Sequence, residues 1–305
     1  MYEKVVLVTR ATRLEGLVER FNSRGQAQFY LEHAGEDFSE YQREHDAYQR
    51  SLETLRRSLD TGLKLQALDR RFVPTYLFTE EDVVVALGQD GLVANTAKYA
   101  GSQPIVGVNP DPERIDGILL PFTPVQAGAA LEGVLEGKAR LRAVTLCEAS
   151  LNDGQKLLAF NDLFIGARSH VSARYRIAFN GSSETQLSSG LIVSTGAGST
   201  GWLSSLFNMA AGVAAFRGGG GFEPLRLDWE DPRLVFVVRE PFRSRASSAG
   251  IAAGILEPDG TLELSSLMPS GGVIFSDGVE QDALAFDSGA RARVRAAAQK
   301  ARLVI

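Results

Sequence analysis

The sequence predicts an α/β N-terminal domain with a mostly parallel sheet, followed by a β-rich C-terminal domain, and three observations carry that reading. In the first part of the chain, short apolar runs alternate with helix-like segments, the order of a parallel sheet covered by helices. From about Arg140 the pattern changes to short strands divided by turn residues, as in antiparallel β structure. At Val83 to Leu92 an apolar run stops abruptly at Gly88-Gln89-Asp90-Gly91 and passes into an alanine-rich segment.

Taken in order, Lys4 to Val8 reads as the first strand. Between Phe38 and Leu59 the positions Phe38, Tyr41, His45, Tyr48, Leu52, Leu55 and Leu59 recur in steps of three and four, which predicts a long amphipathic helix capped by Gly62. Its apolar seam is expected to pack on its own sheet rather than on a second copy, with His45 as a half-buried packing residue. Further strands are expected at Lys64 to Leu68, Val83 to Leu87 and Ile105 to Val108, and a helix from about Val125 to Leu135. Asp90-Gly91 could form a hairpin turn. The segment Leu92 to Ala100 lacks strict alternation, however, and ends at Gly101 as a helix does, so strand, loop, helix is the better reading.

In the second part, Asn152-Asp153-Gly154, Asn180-Gly181, Pro258-Asp259-Gly260 and Asp277-Gly278 each stand between strand-like runs, and at least three hairpins are implied. Arg174 to Phe179, Thr261 to Ser265 and Ala290 to Ile305 read as strands, and Gly218-Gly219-Gly220-Gly221 as a mobile loop tip.

Composition narrows the function classes. The 305 residues are 44% hydrophobic, long enough for two domains, and 32 Lys plus Arg against 37 Asp plus Glu give a net charge of -5. That balance gives no reason to expect a nucleic-acid or membrane-surface partner, so an anionic ligand must be met locally. One cysteine cannot form an intrachain disulfide, and three scattered histidines offer no metal-ligand spacing, so no bound metal is expected. The run Val5 to Val8 is too short for a signal segment and no stretch is long enough for a membrane span; a cytoplasmic protein is the expectation.

Three segments carry chemistry. A buried strand that runs into Gly88-Gln89-Asp90-Gly91 brings one carboxylate and several backbone N–H groups to the edge of a sheet, where phosphates can be held and a hydroxyl deprotonated. A strand at Leu191 to Val193 enters the loop Ser194-Thr195-Gly196-Ala197-Gly198-Ser199-Thr200-Gly201, followed by a helix from Trp202 to Ala215. Such a loop either approaches a ligand or satisfies tight packing. Asn161-Asp162, stranded among apolar residues, either orients ligand hydroxyls or caps a turn. A general dehydrogenase fits poorly, because Thr9-Arg10-Ala11-Thr12 stands after the first strand instead of Gly-x-Gly-x-x-Gly.

The order Gly-Gln-Asp-Gly, then Asn161-Asp162, then Thr195-Gly196 with Gly198-Ser199 resembles the ATP-dependent NAD kinases, whose motifs are Gly-Gly-Asp-Gly, Asn-Glu and Thr-Gly-Ser. Val5 to Arg13, Gly107-Val108-Asn109, Asp111-Pro112-Glu113-Arg114 and Arg239-Glu240-Pro241 are similar to the divergent mitochondrial-type branch, and the likeness covers essentially the whole chain. It implies a Rossmann-like α/β domain at 1–138, joined by the segment from about 288 to 305, and a β-rich domain at 139–287 that binds NAD and forms homodimers or larger homo-oligomers. The implied reaction transfers a phosphoryl group from ATP to the adenosine 2′-hydroxyl of NAD, giving NADP, with Mg²⁺ carried by the nucleotide and the site lying where the two domains meet.

By the same resemblance, Asp90 is the catalytic carboxylate. Gly88, Gln89, Gly91 and Leu92 fall at the ATP phosphates, and Arg239 and Arg245 are candidate phosphate contacts. Asn161, Asp162, Gly198, Ser199, Thr200, Gly201 and Trp202 fall where NAD binds, with Trp202 in place of a tyrosine. Four positions depart from the family pattern: Gln89 for glycine, Leu92 for threonine, Asp162 for glutamate and Ala197 for threonine. A left-handed backbone at Gln89 would cost about 1 kcal/mol. The departures leave two alternatives beside NAD kinase: a kinase of another hydroxyl substrate, sugar or lipid, and a catalytically weakened dinucleotide-binding protein.

Overall fold

In the computed structural model, which describes residues 2–220 and 222–305, the chain divides into two compact units, Met1–Arg142 with Arg302–Ile305, and Ala143–Ala301. The first is built on β1 (Lys4–Thr9), β2 (Lys64–Asp69), β3 (Asp82–Leu87) and β4 (Pro104–Val108), in the order β2-β1-β3-β4 and all parallel. Every residue of β3 and β4 is buried, which is why these strands read as apolar runs rather than alternating ones, apart from Asp82 at the start of β3, which meets Lys4 at 3.1 Å.

Helices α1 (Arg13–Phe21), α2 (Arg24–His33), α3 (Phe38–Ser58), α4 (Asp90–Ala97) and α5 (Ala127–Leu135) complete this unit. The seam of α3 packs on its own sheet: Tyr48, Leu55 and Leu59 are buried in one cluster with Val5, Leu7, Val83 and Val85. His45 is half-buried, with Nδ1 3.0 Å from the Thr12 hydroxyl. The helix stops at Ser58 with Leu59 as its cap, so Gly62, at φ +79, belongs to the turn beyond and does not cap it. Leu59 is held instead by the cluster into which its side chain is buried.

The second unit is antiparallel. Its strands are β5 (Leu141–Leu151), β6 (Lys156–Ala159), β7 (Asp162–Ala167), β8 (Ala173–Phe179), β9 (Ser182–Ser188) and β10 (Leu191–Ser194), then, after α6 (Trp202–Phe216), β11 (Leu234–Val238), β12 (Ala253–Leu256), β13 (Leu262–Ser266), β14 (Gly272–Ser276), β15 (Val279–Ala285) and β16 (Arg291–Val304). One sheet runs β12-β11-β10-β7-β14-β15, and the other runs β16-β13-β8-β9, with β5 paired to β16 and β6 to β5. Leu163, Ile165, Leu191, Val193, Leu234 and Phe236 face the core shared with the second sheet, while Phe164, Ile192, Val235 and Val273 face α6. Both faces of these strands are covered, as their continuous apolar sequence requires.

Three of the four expected reversals are hairpins: β5–β6, β8–β9 and β14–β15. Asn180 and Gly181, at φ 47 and 76, and Asp277 and Gly278, at φ 53 and 70, have the paired left-handed residues of tight hairpin turns. Pro258-Asp259-Gly260 is a turn but not a hairpin, because β12 pairs with β11 and β13 with β16 and β8. The chain changes sheets there. At the loop after α6, Gly218 has φ +78; Gly221 of that run lies outside the described residues. Arg302 and Leu303, at the end of β16, pair in parallel with Pro104 and Ile105 in the first unit. Among the described residues no helix is long and apolar enough to cross a membrane.

Candidate active site

In the first unit the site begins where β3 ends. Gly88 donates its N–H to the Val108 carbonyl at 3.2 Å, tying the loop to the end of β4. Gln89 is the N-cap of α4, exposed, with φ -112 and ψ 166. This is extended backbone open to any residue, so the glutamine carries no left-handed penalty. Asp90 opens the helix, and its Oδ1 accepts the Leu119 backbone N–H at 2.7 Å, which fixes the carboxylate's direction from the loop after β4. Gly91 is exposed on the first turn. Leu92 is only 2% exposed and its N–H donates to the Gln89 carbonyl at 2.8 Å; both its side chain and its amide are committed within the protein. The amide donors open to a phosphate therefore belong to the first turn of α4.

In the second unit the Asn161-Asp162 segment and the glycine-rich loop are fastened to each other. Thr195 donates its backbone N–H to the Asn161 carbonyl at 2.9 Å and its hydroxyl to the Phe160 carbonyl at 2.6 Å. Gly198 lies so close that a Cβ there would meet the Asn161 carbonyl, and one on Gly196 would meet the Asp228 carbonyl. These glycines are demanded by backbone contact. Ser199 is buried, with its hydroxyl donating to the Gly196 carbonyl at 2.7 Å, so it braces the loop; Thr200 and Gly201 are exposed.

Asp162 begins β7 and is 9% exposed. Burial pushes its carboxyl up to about 7, against a hydrogen bond from Ser194, and the charge of Asp277 adds to the rise. Its Oδ1 is buried without a hydrogen-bond partner. Asp277, in the β14–β15 turn, accepts the backbone N–H groups of Phe160 at 2.9 Å, Asn161 at 2.6 Å and Asp162 at 3.2 Å. Sequence reasoning saw Asp277 only as a turn former; nothing local marks it as the residue that holds Asn161-Asp162 in place.

Trp202 and Arg239, distant in sequence, line one cavity of about 390 Å³ with Phe164, Phe275, His170 and Glu280. The rings of Trp202 and Phe164 are nearly parallel, 9° apart with centroids 5.8 Å apart. The Arg239 guanidinium sits 5.5 Å from the Trp202 centroid and 5.9 Å from that of Phe164. A cation over two aromatic faces, in the wall of a cavity that also carries Arg168, His170 and Glu280, suits a flat ring bearing an anionic substituent. Arg245 is exposed outside this wall. Phe164 and Phe275 were missed in the sequence because alternation hides which face of a covered strand opens onto a cavity.

The second unit thus gathers its predicted residues into two groups, the fastened loops and the aromatic cavity. The first unit holds the Asp90 group. No protein-family profile matches the chain. Among curated proteins it is 29% identical to the NAD kinase of Chlorobaculum tepidum over 43% of this chain and 44% of that one, and 27% identical to the mitochondrial NAD kinase 2 of Rattus norvegicus over 81% and 75%. It therefore spans less than half the length of the bacterial relative. Among solved structures it shares its fold with an NAD kinase from Archaeoglobus fulgidus in complex with ATP, at TM-score 0.55, 17% identity and coverage of 99% and 93%. It shares it also with yeast NADH kinase complexed with NADH, at TM-score 0.56, 18% identity and coverage of 100% and 84%. The curated relatives and the solved structures named here are all NAD or NADH kinases.

Proposed function

We propose that this chain is an NAD kinase, which transfers the γ-phosphoryl group of ATP to the adenosine 2′-hydroxyl of NAD. The observation that carries the reading is Asp90: a carboxylate at the end of a fully buried strand, aimed by the Leu119 N–H and set at the first turn of a helix. With Oδ1 held, Oδ2 meets the 2′-hydroxyl and takes its proton as that oxygen attacks the γ-phosphorus. The new O–P bond forms, the bond to the β-bridging oxygen breaks, and ADP leaves. The first turn of α4 favours the negative charge of the phosphates through its N–H groups and dipole.

Mg²⁺ enters with the nucleotide and neutralises phosphate charge. On the acceptor side, Trp202 stacks on a ring of NAD, Arg239 meets its pyrophosphate, and Asn161 and Asp162 bind ribose hydroxyls. Gly198 and Ser199 serve by shaping the loop that Thr200 and Gly201 expose. The extended backbone at Gln89 removes one reason for expecting a weakened enzyme. The reading carries with it an α/β domain at 1–138 with 288–305, an NAD-binding β domain at 139–287 that also forms a homodimer or larger oligomer, and a cytoplasmic location.

The test is direct. NAD, ATP and Mg²⁺ are incubated with the protein and NADP is detected with an NADP-specific dehydrogenase. Asp90→Asn should lower kcat by about 10²-fold or more, the usual contribution of a positioned acid–base group. NAD binding without turnover in the wild type, or ATP consumption only with an added sugar or lipid, would overturn the reading.

A further inference from the structure

The strand order β2-β1-β3-β4 sends the chain to opposite sides from β1 and β3, and the carboxyl ends of such a pair form the crevice where open α/β sheets bind ligands. A cavity of about 410 Å³ lies there, and its wall carries four arginines, Arg10, Arg13, Arg43 and Arg114, against three carboxylates, Glu40, Glu44 and Asp111, together with Gln89 and Tyr48. None of these arginines belongs to the motifs discussed above for binding NAD.

The protein balances this charge only in part. Glu44 receives Arg10 Nη2 at 3.0 Å and Arg13 Nε at 2.6 Å. Burial works to raise the Glu44 carboxyl, but the hydrogen bonds from Arg13 and Arg10 outweigh it and hold the group below its ordinary value. Glu44 is therefore a charged post that sets the direction of both guanidiniums. Arg114 meets Asp111 at 3.2 Å, whereas Arg43 comes no nearer than 3.8 Å to Asp37 and 3.9 Å to Glu40. Each guanidinium has five N–H donors and these contacts use few of them. The Arg10 side chain is 10% exposed, and its buried Nε has no hydrogen-bond partner. Beneath it, Tyr48 donates its hydroxyl to the Leu87 carbonyl at 3.1 Å and accepts the Arg10 N–H at 3.1 Å, so the ends of β1 and β3 are clamped together under the cavity.

We infer that this cavity seats the triphosphate of the phosphoryl donor, with Arg13, Arg43 and Arg114 contacting its oxygens and Arg10 held behind them. The inference rests on the kinase reading above and adds the residues that grip the donor. Gln89 takes a definite place in it: exposed, extended and part of the cavity wall, it brings a side-chain amide donor to the same cavity as the arginines. Planar guanidiniums suit this task because they bind phosphate oxygens through paired N–H groups.

Arg43 and Arg114 have side chains 56% and 51% exposed, so their replacement spares the core. The full-length chain and its Arg43→Met and Arg114→Met variants are titrated calorimetrically with inorganic tripolyphosphate and with ATP. Arg57→Met, on the same helix as Arg43 but outside the cavity, controls for net charge. Each cavity substitution should weaken both ligands about tenfold, the scale of a charge-assisted contact, and raise KM for ATP in step while KM for NAD stays unchanged. Equal affinities in wild type and cavity variants, or no binding of either ligand to a wild type that forms NADP, overturns the inference and leaves the kinase reading standing. Arginine-dependent binding in a wild type that forms no NADP keeps the phosphate site and overturns the kinase reading instead.

Discussion

Replacing Asp162 with asparagine should stabilise the protein, and should do so more at alkaline than at acid pH. The carboxyl is pushed from 3.8 to about 7, chiefly by burial. Between those limits the folded chain keeps a proton that the unfolded chain has released. The free energy of unfolding therefore falls as pH rises from about 4 to about 7, and stays flat above. At 1.36 kcal/mol per pH unit, the full penalty above pH 7 is ~4 kcal/mol. Asparagine is isosteric, can still meet Ser194, and carries no charge to bury. Urea unfolding of wild type and Asp162→Asn at about pH 5.5 and about pH 8 isolates the effect, because only ~1.5 pH units of the titration lie above the lower condition. The advantage of the variant should grow by ~2 kcal/mol between the two. An advantage that is the same at both pH values, or a variant that is less stable at both, would falsify the assignment of a neutral-pH titration to this buried carboxyl.

Other outcomes follow from the geometry. Gly196→Ala places a Cβ against the Asp228 carbonyl, which as backbone has little room to yield, and should cost about 1–3 kcal/mol in a thermal melt. Gly91→Ala, in open space on the first turn of α4, should not destabilise, and equal losses for the two would contradict the packing account. Trp202→Ala removes a stacking face and should raise KM for NAD about tenfold, the scale of base–aromatic stacking, with KM for ATP unchanged. An unchanged KM for NAD would remove Trp202 from the acceptor site.

What the sequence revealed was local, and what it concealed was pairing between distant segments. The strand, turn and helix at Val83 to Ala97 could be read directly, because a buried parallel strand, a glycine and an alanine-rich run each leave a short-range signature. The hairpins at Asn180-Gly181 and Asp277-Gly278 were equally plain, since φ above zero at both positions selects those residues. Helices α1 and α2 went unread even though Thr12 and Glu15 form a capping box at the start of α1, a signal that was present at the spacing expected. The turn at Pro258 to Gly260 shows the limit from the other side: its residues specify a reversal, but which sheet the next strand joins is set by register with β8 and β16, far away in sequence. The same holds for the site. Asp90 was visible from its own neighbours, whereas the grip of Asp277 on Phe160, Asn161 and Asp162 spans more than a hundred residues and leaves no local mark.

The pairing of Arg302 and Leu303 with Pro104 and Ile105 bears on how the protein is made. During synthesis β1 to β4 emerge before the β-rich unit, yet the neighbour of β4 on that flank, the end of β16, is made only after it. Until then β4 presents an apolar edge with unsatisfied N–H and C=O groups, the kind of surface that recruits another nascent chain. Closing the gap links positions about two hundred residues apart, a contact of high order that slows the final step. The window of vulnerability thus lasts for the whole translation of the β-rich unit, and slow expression or a chaperone that shields strand edges should raise the yield of folded protein more than a change in the buried core.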